Sequence, residues 1–153
     1  MPTLSSYKKL LLIGASRGLG FALAEEYLKR GWHVVATERN STTSKLHDLL
    51  GSTEDRLEIE TVDINYPDQV AALRARLASR KFDMLFVNAG IAKSIKEPPG
   101  TGPVQEFLDV MLINAFSPIR LIEMFEDIVA PNGTIAAMSS ELAAAVAESI
   151  CSS

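Results

Sequence analysis

The residues best suited to chemistry lie near the start of the chain, in Gly14-Ala15-Ser16-Arg17-Gly18-Leu19-Gly20. Glycines admit positive φ and let backbone approach a ligand closely, and the Ser16 hydroxyl and the free amides of such a turn can bond phosphate oxygens. With a strand leading in and a helix leading out, a dinucleotide pyrophosphate placed there would meet the positive end of the helix dipole. Alone, three glycines in a tight turn are also an ordinary structural feature. The flanking elements decide between the two.

Those elements have the required kinds. Leu10-Leu11-Leu12-Ile13 is a short apolar run ending in Gly14, as expected of a strand buried on both faces of a parallel sheet. Phe21 to Arg30 is rich in helix formers, and Gly31 stands where a left-handed helix stop is expected. His33 to Thr37 and Leu57 to Val62 are the next strands, with a short helix over Lys45 to Leu50 between them. Asn65 and Pro67 mark a helix start, after which Val70, Leu73 and Leu77 recur on one helical face. Met84 to Val87 is the fourth strand, and the proline-rich stretch from Ile95 to Pro103 is a surface loop. From Val104 through Phe107, Leu108, Met111, Leu112 and Ala115 the apolar spacing predicts one long helix. Asn132-Gly133 reads as a turn and Thr134 to Met138 as the fifth strand. Strands alternating with helices imply crossover connections and a parallel sheet with helices on both faces. Residues 1–153 are expected to form one domain, with 143–153 as a tail.

Four further features stand at the ends of these elements: Asp63 after the third strand, Asn88-Ala89-Gly90 after the fourth, Asn114 in the long helix, and Ser140 closing the fifth strand. Each has a plain structural alternative, namely a capping or turn residue, a strand end, a buried polar group and a turn pair. Together with three residues between the first two glycines, and in this order, they resemble the short-chain dehydrogenase/reductase family over roughly residues 8–142. The resemblance implies an α/β fold, a Rossmann-like doubly wound parallel sheet of about five strands in the order 3-2-1-4-5, lacking the C-terminal part of the family fold. It also implies carbonyl-to-alcohol hydride transfer with a nicotinamide dinucleotide, on an unknown carbonyl or alcohol substrate. The cofactor would be held by Gly14, Ser16, Arg17, Gly18, Leu19, Gly20, Asp63 with its neighbour Ile64, Asn88, Ala89 and Gly90. In this scheme the Asp63 carboxylate accepts from the adenine amino group.

The end of the second strand bears on cofactor choice. Glu38 occupies the acidic position that bonds the ribose hydroxyls of NAD, yet Arg39 follows it and Arg17 projects from the glycine turn. In the family, basic residues at those two places go with NADP. A guanidinium gripping a phosphate through two charge-assisted bonds is expected to outweigh one solvated glutamate that can swing away. NADP(H) is therefore favoured, with NAD(H) the alternative. The plain alternative is a solvated surface cluster of Arg17, Glu38 and Arg39.

The family's chemistry uses a serine, an asparagine, a tyrosine and a lysine four residues after the tyrosine. Ser140 and Asn114 match the first two as catalytic residues. Pro118 lacks an N–H and would leave the Asn114 carbonyl free for a relay water, or would simply kink the helix. No tyrosine has the lysine, since Tyr7, Tyr27 and Tyr66 are followed four places on by Leu11, Gly31 and Val70. His33 and His47 are read as surface or packing residues, and no metal ligands are assigned. Little or no turnover is therefore expected from this chain alone, and a non-catalytic module pairing with a full-length relative is the alternative. An apolar strip including Phe107, Met111 and Phe125 is expected to lie exposed and to favour self-association.

Composition excludes several classes. With 47% hydrophobic and 22% charged residues and a net charge of −4, the chain is of globular type and offers no basic face for nucleic acid. No apolar run approaches the length needed to span a bilayer. The single cysteine, Cys151, cannot form an intramolecular bridge, and a cytoplasmic location is the expectation.

Overall fold

The computed structural model describes residues 7–39, 44–88, 104–111 and 116–138. Five strands, β1 (Lys9–Ile13), β2 (His33–Glu38), β3 (Leu57–Thr61), β4 (Phe82–Val87) and β5 (Val129–Ala137), form one sheet in the order β3-β2-β1-β4-β5. Every pairing is parallel. The expected order and orientation hold.

The pattern of residues explains the order. β1 is hydrogen-bonded on both sides and covered on both faces, so Leu10, Leu11, Leu12 and Ile13 are all buried. A centre strand of this kind needs an unbroken apolar run. β3 has one strand neighbour among the described residues and alternates instead, with Glu58 and Glu60 turned toward Arg80 and Arg76.

Helices cover both faces. On one side α1 (Gly18–Lys29) and the 3₁₀ segment Lys45–Ser52 bring Ala24, Leu28 and Leu46 against Leu10, Leu12 and Val34. On the other, α2 (Pro67–Arg76) and α4 (Ser117–Phe125) bring Val70, Leu73, Leu121 and Phe125 against Leu11, Ile13 and Leu85. The helical spacing of Val70, Leu73 and Leu77 is thus the buried face of α2 and the residue after it. α1 closes on Gly31 at φ 84°, where the amides of Gly31 and Trp32 reach the carbonyls of Leu28 and Tyr27. That left-handed stop satisfies the last carbonyls of the helix, and it is the one the glycine implied.

Several expectations are corrected. α1 begins at Gly18, inside the glycine turn, and not at Phe21. Asn132-Gly133 does not precede the fifth strand but lies within it: Phe82 pairs with Val129 and Met84 with Thr134, so the extra residues form a bulge. A Cβ on Gly133 would stand 2.6 Å from Val129 Cγ1 and 2.9 Å from the Ala130 and Asp83 carbonyl oxygens, which is why the bulge takes glycine. Phe125 is fully buried in the core and belongs to no exposed strip. The side chains of Phe107 and Met111 lie outside the described residues. The described part of the predicted long helix is α3 (Val104–Met111), and Pro118 stands in the first turn of α4, where a missing N–H costs nothing.

Candidate cofactor site

The candidate site is built at the carboxyl ends of β1, β2 and β4, beside the start of α1. Two hydrogen bonds fix the turn after β1 to the end of β2. The Gly14 amide donates to Thr37 Oγ1 at 2.9 Å, and the Ala15 amide donates to the Thr37 carbonyl at 2.8 Å. Thr37 is buried, so these bonds are sheltered from competing water. Gly14 itself adopts φ 90°, a left-handed conformation that a side chain would strain.

From β4 comes a second anchor. The Asn88 amide donates to the Ile13 carbonyl at 2.8 Å, extending the sheet by one residue, and Asn88 Nδ2 donates to the Gly14 carbonyl at 3.1 Å. Gly20 closes the arrangement. A Cβ there would fall 2.0 Å from the Gly14 oxygen and 2.6 Å from Asn88 Nδ2, so only glycine lets the first turn of α1 lie this close to the end of β1. Gly18, at φ 59° with open space around its Cα, is required for its backbone angle alone.

What remains exposed is suited to an anion. The residue before α1 is Arg17, whose backbone is extended and whose side chain gives no cap. Among the described residues the amides of the first helical turn therefore have no side-chain acceptor, and the helix dipole adds partial positive charge at the same end. Ser16 is half-buried while Arg17 and Leu19 are exposed. Among the described residues neither Arg17 nor Arg39 has a side-chain hydrogen bond or ion pair, and Arg39 is exposed next to the end of β2. A backbone cradle that excludes a Cβ, an uncapped helix start and two guanidinium groups without a partner among the described residues fit a phosphorylated dinucleotide.

Glu38 departs from expectation. It was expected to be solvated and able to swing away, but its side chain is only 1% exposed. Ser44 Oγ donates to its Oε2 at 2.5 Å, and His47 Nε2 lies 2.8 Å from its Oε1. A carboxylate removed from water needs such donors, and the loop from β2 back into the 3₁₀ segment supplies them. His47 is thus a partner of Glu38 and not a plain surface residue. Sequence spacing carried no sign of this pair, and none of Thr37's role beyond its place at the strand end.

Asp63, half-buried after β3, accepts from the Asn65 amide through Oδ1 at 3.0 Å, while its own amide donates to Gln69 Oε1 at 2.8 Å. The carboxylate thus makes the local turn that leads into α2, the structural role weighed for it. Its Oδ2 has no protein donor among the described residues. Ile64 packs against the core beside it. Ala89, Gly90, Asn114 and Ser140 lie outside the described residues, as does the stretch from Ile95 to Pro103. No group of metal-ligating side chains gathers among the described residues, and none of their helices is long and apolar enough to cross a membrane.

Comparison with known proteins agrees with this geometry. The pattern of the short chain dehydrogenase family matches residues 8–151. A short-chain dehydrogenase/reductase-like protein from Burkholderia multivorans, solved with bound NADP, is 47% identical with a TM-score of 0.83, over 88% of this chain and 59% of that one. A carbonyl reductase from Pseudomonas aeruginosa PAO1 in complex with NADP is 34% identical with a TM-score of 0.84, over 90% of this chain and 60% of that one. Protein FixR of Bradyrhizobium diazoefficiens is 28% identical over 141 residues, 87% of this chain and 50% of its own length. The chain spans about half the length of the curated relatives it matches and about 60% of these solved structures.

Proposed function

Because the chain belongs to the short-chain dehydrogenase family, we propose that it binds a nicotinamide dinucleotide, NADP(H) in preference to NAD(H), and that the reaction this binding serves is the family's hydride transfer between a carbonyl and an alcohol. The observation that carries this reading is the cradle in which Gly20 lies against the Gly14 carbonyl under an uncapped helix start. When bound, the cofactor supplies or accepts the hydride. The chain's own part is to hold its phosphates on the first-turn amides of α1 and the Ser16 hydroxyl, with Thr37 and Asn88 keeping the turn rigid. Arg17 and Arg39 are the groups for a 2′-phosphate. Asp63, through its Oδ2, and Ile64 form the adenine end, and by resemblance Ala89 and Gly90 join Asn88 in holding the cofactor.

By resemblance, Ser140 holds the substrate oxygen and Asn114 carries a water-linked proton path. A tyrosine with a lysine four residues on does not occur in these 153 residues, so this stretch supplies cofactor binding and substrate orientation without the family's general acid. Thermal unfolding tests the reading, since a ligand that binds only the folded state raises its stability by an amount set by concentration and affinity. NADPH is expected to raise the midpoint more than NADH, and Arg39→Ala to lower NADPH affinity by about 10-fold or more, the worth of a hydrogen bond to a charged group. Equal stabilisation by both nucleotides, unaffected by the Arg17→Ala and Arg39→Ala changes, would contradict the NADP(H) preference.

A second reading is favoured by a specific surface. β5 has one strand neighbour among the described residues; Ile135 is exposed on one face of it, and Met138 beyond its end is exposed on the other, beside the partly covered Met84 and Phe86. That apolar ground suits association with a second copy or a longer relative.

A further inference from the structure

Glu38 occupies the position that, on the reading above, faces the adenosine ribose, and the two residues that hold it have no role in that reading. Its main chain is fixed within the sheet, with the Val62 amide donating to its carbonyl at 2.9 Å. Its carboxylate is fixed too, one oxygen to Ser44 Oγ and the other to His47 Nε2. For both contacts to be hydrogen bonds, His47 must carry a proton on Nε2, as the donor to an acceptor-only carboxylate. With 1% of the Glu38 side chain exposed, almost no carboxylate surface is left for a ribose hydroxyl to reach, whereas His47 keeps 32% of its side chain open to solvent.

We propose that His47 and Ser44 set the dinucleotide preference by clasping Glu38: they withdraw its carboxylate from the ribose and screen its charge, so that the exposed Arg39 meets a 2′-phosphate unopposed. The proposal rests on the NADP(H) reading and deepens it. Physically, a free glutamate at this place does two things at once, repelling a phosphate and accepting from ribose hydroxyls, and both favour NAD(H). Clasped, it does neither. His47 and Ser44 are positioning residues in this account, acting on the cofactor through Glu38.

The test is the ratio of NADPH to NADH dissociation constants, followed by nucleotide fluorescence for the wild-type chain, His47→Ala, His47→Gln and the double variant His47→Ala with Glu38→Gln. Release of Glu38 in His47→Ala is expected to move the ratio toward NADH by about tenfold, the worth of one hydrogen bond to a charged group. His47→Gln retains a donor and is expected to shift it less. The double variant removes the charge and is expected to restore the preference for NADPH. A purely structural role for His47 would weaken both nucleotides together and leave the ratio alone. Should His47→Ala fail to fold, because a buried carboxylate has lost its partner, Ser44→Ala is expected to move the ratio in the same direction. A ratio unchanged in whichever of His47→Ala and Ser44→Ala folds, or a double variant that keeps the NADH-shifted ratio, overturns the clasp while leaving the cofactor reading standing. A folded wild-type chain that binds neither nucleotide overturns both.

Discussion

Gly18 and Gly20 lie two residues apart and are glycines for different reasons, which makes them a useful pair at the residue scale. Gly18 has φ 59° and free space around it, so Gly18→Ala pays only for a left-handed side chain, about 1–2 kcal/mol. Gly20 has no room, with the Gly14 carbonyl oxygen 2.0 Å from where a Cβ would sit. Backbone cannot yield as a flexible side chain can, so Gly20→Ala is expected to cost about 3 kcal/mol, the upper end for overpacking, and to force α1 away from β1. Urea unfolding measures both costs, and nucleotide binding should be lost with Gly20→Ala while Gly18→Ala weakens it. Equal effects of the two substitutions would mean that the close approach of α1 to β1 is not what shapes the site. The glycine spacing was legible in the sequence because left-handed turns and close contacts select one residue type. The partners that lock the turn were not, because Thr37 is 23 residues away and Asn88 is 74 residues away from Gly14. Nor was the state of Glu38, since burial of a carboxylate depends on donors that only folding brings near.

At the scale of elements, His33 at the start of β2 gives a pH prediction. Burial holds its pKa below the usual value of about 6.5, and the positive charges of Lys9 and Arg56 push it the same way. The unfolded chain therefore takes up this proton more readily than the folded one. The stability tied to His33 is fully present above pH of about 6.5 and is lost as pH falls through the lower folded value. His33→Gln should flatten the dependence of unfolding free energy on pH in that window, measured by urea titration at several pH values. An unchanged slope would assign the dependence to other groups. Strands and helices with a strong period were legible at this scale: the four apolar residues of β1 are buried on both faces, and Val70 and Leu73 form the inner side of α2. β5 was less so, because Pro131-Asn132-Gly133 carries the local chemistry of a turn and the sheet absorbs it as a bulge. Phe125 was expected in an exposed apolar strip, yet α4 turns it into the core beside Ile128.

Over the whole molecule, two apolar clusters on opposite faces of a parallel sheet explain why strand order and cofactor site come together: the order brings the ends of β1, β2 and β4 around one glycine turn. The same layout leaves Ile119 and Met124 of α4, and Ile135 and Met138 near the end of β5, exposed. Light scattering of this chain is expected to show mass rising with concentration, and Ile135→Lys should reduce that rise by placing a charge on the β5 surface. A monomer at high concentration in both proteins would rule out association through this surface. Whether these residues form a folded dinucleotide site is decided by equilibrium titration with NADPH, following nucleotide fluorescence. Saturable binding, tighter than that of NADH, is expected; failure to bind NADPH or NADH by a chain that circular dichroism shows to be folded would mean that the glycine turn is not a cofactor site.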